Sequence, residues 1–121
     1  MDQVCFALPV VEGRTGDARA FFFELEQQRK AEFDASERRI GITKESWYLQ
    51  QTPRGDLVIG YMESPDFAAA LGAFAQSADA FDVWFKQRML TITGVDLNNP
   101  PAGPLSEQLS SYQVAGEVAA R

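Results

Sequence analysis

The chain has 121 residues, 45% apolar and 23% charged, with 11 basic against 17 acidic side chains and a net charge of −6. That is length for one domain with a sizeable core, and the acidic balance, with basic residues in no long run, argues against a nucleic-acid partner. The absence of any histidine excludes Ser-His-Asp and Cys-His catalysis, haem held by an axial histidine and His-based zinc sites.

No apolar run approaches the roughly 20 residues of a membrane span, so no membrane partner is expected. The opening MDQVCFALPVVEGR lacks the charged and apolar regions of a signal peptide. Cys5 stands alone, which precludes an internal disulfide and fits a reducing, cytoplasmic setting.

The first strand is expected over residues 3–10, with Val4, Phe6, Leu8 and Val10 on one face and Cys5, Ala7 and Pro9 on the other. Both faces are apolar, so the strand should be covered on both sides. After the polar turn EGRTG, Thr15 or Asp17 can cap a helix over about 17–38. Its inner stripe is Ala18, Phe22, Leu25, Arg29 and Phe33, widened by Phe21, and Gly41 supplies the stop. Glu37, Arg38 and Arg39 read as a solvated helix end.

A second strand follows over 43–52, with Glu45, Trp47, Leu49 and Gln51 pointing one way and Lys44, Ser46, Tyr48 and Gln50 the other. Pro53-Arg54-Gly55-Asp56 suits a short hairpin turn, which also accounts for the Arg-Gly-Asp tripeptide. The third strand, 56–63, contains Gly60, where a ring or helix can approach the backbone. Ser64-Pro65-Asp66 starts a helix, with Ser64 as cap and Pro65 first. That helix is thin, being rich in alanine. A further helix over about 79–93 presents Phe81, Phe85, Met89 and Ile92 to a core. Prolines 100, 101 and 104 impose a loop. Residues 105–114 are the candidate fourth strand, and 115–121 a flexible tail. The order is β-α-β-β-α-β, a ferredoxin-like α+β fold with an antiparallel sheet, in one domain over residues 1–114.

The first strand with its VEGRT turn, the WYLQQ and DLVIGYMES strands and the AQSADAFDVWFKQRML segment resemble a family of small proteins of unknown function within the dimeric α+β barrel group. The resemblance spans most of residues 3–114. It implies that fold but no catalytic residue, metal or cofactor. The wider group includes cofactor-independent antibiotic-biosynthesis monooxygenases and haem-degrading enzymes. The haem-degrading members depend on a ligand histidine that this chain lacks. In such a fold the helices cover one side of the sheet, and the other, apolar side requires a second copy, which makes the chain a homodimer.

A ligand site is expected between helices and sheet or inside the dimer barrel. Trp47, Tyr48, Tyr61, Glu63, Asp82, Trp84 and Lys86 are its candidate lining, with hydroxyls and an indole N–H to orient a flat organic molecule. The competing explanation is packing, since aromatic side chains bury large area. Asp82 and Lys86, four apart on a helix, have the spacing of a solvated pair. Glu63 can act as a base if desolvated, or complement a helix dipole. Cys5, with no activating neighbour, reads as a small core residue. The leading function is a small organic ligand bound in a cavity. The alternatives are a cofactor-independent monooxygenase-like enzyme and an interaction module without activity.

Overall fold

The computed structural model describes residues 1–101 and 103–115. Three strands, β1 (Asp2–Pro9), β2 (Lys44–Thr52) and β3 (Gly55–Ser64), form an antiparallel sheet in the order β1-β3-β2. Four helices accompany them among the described residues: α1 (Thr15–Gln27), α2 (Lys30–Ile40), α3 (Phe67–Gln76) and α4 (Ala80–Thr93). Thr52 and Gly55 close the β2–β3 hairpin, with Gly55 at φ 128°, a conformation open to glycine at little cost.

Strand parity sets the two faces of the sheet. Across it, Phe6 and Trp47 both oppose Gly60, and Leu8 and Leu49 both oppose Val58. These side chains face the helices. Cys5, Tyr61 and Ser46 form one row of the other face, and Ala7, Ile59 and Tyr48 the next. The main core joins Ala18, Phe21 and Leu25 of α1, Phe33 of α2, Val58 of β3 and Phe81, Phe85, Met89 and Ile92 of α4. A second cluster unites Val4, Ile42, Phe67 and Ala70. The small side chain of Ala70 keeps α3 close to the sheet, as the alanine-rich segment requires.

Four expectations are corrected. The single helix over 17–38 is two. Both Gln28 and Arg29 donate their N–H to the Glu24 carbonyl, at 2.9 and 3.1 Å, which resets the hydrogen-bond ladder. The break lets the Arg29 guanidinium reach the Glu24 carboxylate at 2.9 Å and lie 4.2 Å from the Trp84 ring centre. Neither Thr15 nor Asp17 caps α1. Thr15 Oγ1 donates instead to Asp56, and Asp17 pairs with Arg14. The cap of α3 is Asp66, which accepts from the Ala69 N–H, while Ser64 Oγ donates to the Gly41 carbonyl at 2.7 Å.

The fourth correction concerns residues 105–114, which pair in no strand. This segment meets β1 through side chains, with the Cys5 N–H donating to Ser106 Oγ at 2.9 Å and Gln108 Nε2 donating to Gln3 Oε1 at 3.4 Å. The expected tail falls almost wholly on residues 116–121, outside the described ones. Gly41, at φ 94°, ends α2 as expected.

Candidate functional site

The helices do not fill the sheet face they cover. A cavity of about 230 Å³ lies between Val4, Phe6, Trp47 and Met62 of the sheet and Phe33, Ile40, Phe67, Leu71, Phe74 and Phe81 of the helices. Val95, Leu97, Pro100, Pro101, Pro104 and Leu105 form one wall, so the proline-rich loop after α4 lines the space. Gly60 lies beneath two of the lining rings. A Cβ there would come within 3.0 Å of both the Phe6 and Trp47 rings, which meet over the glycine edge to face, 5.6 Å between centroids. The expected close approach at Gly60 is thus made by two aromatic rings.

The charged side chains on the cavity wall, among the described residues, are Glu37 of α2 and Glu45 of β2. Trp47 Nε1 donates to Glu45 Oε2 at 2.8 Å. The two carboxyls face each other. Burial, the Glu45 charge and the hydrogen bond between the acids together push Glu37 up to about 10. Burial also raises Glu45, against the opposing effect of its bonds to Trp47 and Glu37. Two carboxylates cannot both be charged at little cost in an apolar chamber, so the pair holds a proton near neutral pH. Glu37 is therefore not part of a solvated helix end. Of that end Arg38 and Arg39 are exposed as expected, Arg38 paired with Asp34 at the surface and Arg39 bonded to Asp82.

Asp82 and Lys86 are not the solvated pair their spacing implies. Both are buried, and each has partners other than its neighbour. Asp82 accepts from Ser36 Oγ, from Ser77 Oγ at 2.5 Å and from Arg39 Nη2 at 2.9 Å. Burial acts to raise its pKa, but these donors, Ser36 foremost, outweigh burial and lower it. Lys86 Nζ donates to the carbonyls of Phe74, Ala75 and Ser77, at 2.9, 3.3 and 2.9 Å, satisfying the exposed end of α3. Desolvation lowers its pKa. This joint locks α2, the α3–α4 turn and α4 around the cavity. Trp84 packs on Phe21 and Phe81 and under Arg29, outside the cavity wall.

The remaining candidates lie across the sheet. Tyr48, Tyr61 and Glu63 border an open polar depression with Gln3, Lys44 and residues of the 106–113 segment. Tyr61 Oη donates to Glu63 Oε2 at 2.6 Å. That bond, with some burial, raises the tyrosine pKa to about 12. Cys5 is on this side too, exposed rather than in the core.

The seven candidates therefore divide: Trp47 on the cavity, three on the open face and three in packing. Glu37 and Glu45 escaped sequence reasoning. Strand parity carried a signal for Glu45, which is in phase with Trp47 and Leu49 on the core-facing side. Glu37 follows the buried Phe33 by four residues, on the inward stripe of α2.

Among the described residues no group of three or more acidic, cysteine or histidine side chains is placed to hold a metal ion, and no helix is long and apolar enough to cross a membrane. No family model matches the chain, and no curated protein matches it. Among solved structures, the chain is similar to the crystal structure of an L-rhamnose mutarotase from Formosa agariphila. The TM-score is 0.62 at 13% identity, covering 93% of this chain and 100% of that one. At that identity the likeness shows the fold alone, a ferredoxin-like α+β domain with helices on one face of an antiparallel sheet.

Proposed function

We propose that this protein binds a small, largely apolar organic molecule in the cavity between sheet and helices, with Glu37 and Glu45 as the polar end of the site. The observation that carries this reading is an aromatic-walled space of about 230 Å³ that ends on a facing carboxyl pair. A cavity of roughly 150 Å³ suffices for benzene, so a substituted single ring or a small bicycle fits here. The joint around Asp82 and Lys86 holds the helices that form the walls. The structurally similar mutarotase is named for a sugar. A sugar displays many hydroxyls, and these walls offer few partners for them, so the shared fold does not carry that substrate to this chain.

The test is a thermal shift and calorimetric titration with a neutral aromatic probe, 2-phenylethanol. Saturable binding is expected in the native chain. It should be lost in Ala70→Leu, which fills the cavity from α3. No binding to the native chain at millimolar probe overturns the reading.

The same chain is proposed to pair as a homodimer through the open sheet face. Ala7 and Tyr48 are exposed there beside the half-buried Leu57 and Ile59, with Tyr48 retaining 61% of its accessible surface. A second copy is the partner that closes such a face with two-fold symmetry. Sedimentation equilibrium at micromolar concentration tests it, and a monomer alone would remove the proposal.

A further inference from the structure

The cavity's charge pattern narrows its ligand, given the binding reading above. We propose that the cavity takes a lipophilic primary amine, whose ammonium group seats between the Glu37 and Glu45 carboxylates while its aromatic or alkyl part lies among Phe6, Phe33, Trp47 and Phe74. No lysine or arginine is on the wall among the described residues. The nearby Lys86 is committed to three backbone carbonyls. An anionic ligand would meet two acids and no cation.

A cation meets the reverse situation. The resting pair holds one proton and one negative charge. Exchange of that proton for an ammonium leaves the chamber with the same net charge, so the site does not bury a further charge when the ligand enters. The ammonium N–H groups donate to carboxylate oxygens, and the surrounding ring faces attract the cation as well. The displaced proton leaves to solvent, which balances the exchange. A divalent metal is a poorer occupant. Calcium takes six to eight oxygen ligands and magnesium an octahedron, and here two carboxylates stand against an otherwise mostly apolar wall.

The groups that face Glu37 support the same sign. Its own helix brings Asp34, β2 brings Glu45 and α4 brings Asp82, and each raises its proton affinity. Arg39 is turned to Asp82 and Asp79. On the cavity wall, β1, β3 and α3 contribute no charged side chain. The field inside the chamber is thus acidic, and a cation answers it.

An isosteric series separates this proposal from the one beneath it. 2-Phenylethylamine, 2-phenylethanol and phenylacetate are titrated calorimetrically at pH 6, 7 and 8 in two buffers of different ionisation enthalpy. The amine should bind roughly tenfold or more tighter than the alcohol at pH 8, a factor worth about 1.4 kcal/mol. It should release up to one proton and tighten as pH rises, and phenylacetate should bind weakest. In the Glu37→Gln, Glu45→Gln double variant, which leaves no carboxyl on the wall, the amine-to-alcohol affinity ratio should fall towards one. In Glu37→Gln alone, with no shared proton to displace, the proton release should be lost, and this single variant is the readout should the double one fail to fold. Equal binding of amine and alcohol without proton release, or a preference for phenylacetate, overturns the amine assignment and leaves the cavity reading standing. Failure of all three probes overturns both.

Discussion

The two faces of the sheet carry the same small device and put it to different ends. On the helix side Trp47 donates to Glu45, and on the open side Tyr61 donates to Glu63. In each case the aromatic donor and the acid are two residues apart on one strand, and the bonds are 2.8 and 2.6 Å. In the cavity, burial dominates and the acid is pushed up. On the open face the hydrogen bond to Glu63, then some burial and the carboxylate's charge, push the tyrosine up. The hydrogen bond is common to both. Desolvation, and the second acid that only the cavity supplies, decides which group keeps a proton.

The contrast between buried acids is sharpest at Asp82, so its replacement should have the largest effect on stability. Asp82 is as enclosed as any acid here but has three donors, where Glu37 faces another acid. Asp82→Ala strands the Ser36 and Ser77 hydroxyls and removes the Arg39 anchor. A loss of about 3 kcal/mol is expected, read by urea unfolding at pH 7. Because its pKa is lowered in the folded state, its contribution is full above the ordinary carboxyl range and is lost as pH falls below it. An unchanged midpoint would show that the joint is decoration.

Glu37 has the opposite linkage. Its folded pKa lies above the unfolded one, so the native state binds the extra proton, and stability should decline as pH rises from about 4.5 towards 10. The slope for one such proton is at most about 1.4 kcal/mol per pH unit. Glu37→Gln should flatten that decline and be more stable than the native chain at pH 9, while matching it near pH 4. Parallel pH profiles would mean that water reaches the pair freely. Gly60→Ala should come next, at about 1–2 kcal/mol, since the added methyl must displace the Phe6 or Trp47 ring. That variant should also weaken any ligand of the cavity, which a probe titration would show.

What the sequence disclosed about this contrast follows from how local each feature is. Strand parity is local, so the division of β1, β2 and β3 into two faces could be read directly, as could the α4 stripe of Phe81, Phe85, Met89 and Ile92. The Gly60 gap was legible because a missing side chain between large apolar neighbours leaves room for rings. The fate of a charge depends on partners distant in the chain. Asp82 finds Ser36 and Arg39 46 and 43 residues away, and no spacing rule reports them. The i,i+4 relation to Lys86 instead pointed to a surface pair. Glu37 meets Glu45 only because the α2–β2 turn folds the strand beneath the helix. The break at Gln28–Arg29 was hidden in a segment of good helix formers. The 105–114 segment, which forms no strand, escaped because its alternation resembles one, while the prolines at 100, 101 and 104 before it and its contacts with β1 decide otherwise.

The open face offers the gentlest test, since it should change chemistry without changing the fold. Tyr61 is raised by its bond to Glu63, then by burial and the Glu63 charge. In Glu63→Gln the carboxylate charge is gone, although the amide oxygen can still accept. The phenol should then ionise closer to its ordinary value near 10, visible as an earlier rise in tyrosinate absorbance. Urea stability at pH 7 should move by no more than about 0.5 kcal/mol, as for other surface replacements. The matching replacement in the cavity, Glu45→Gln, should alter the pH profile of stability and leave the tyrosine titration where it was. If instead both replacements shifted the same titration, the sheet would be transmitting charge between its faces, and the two devices could not be treated as separate.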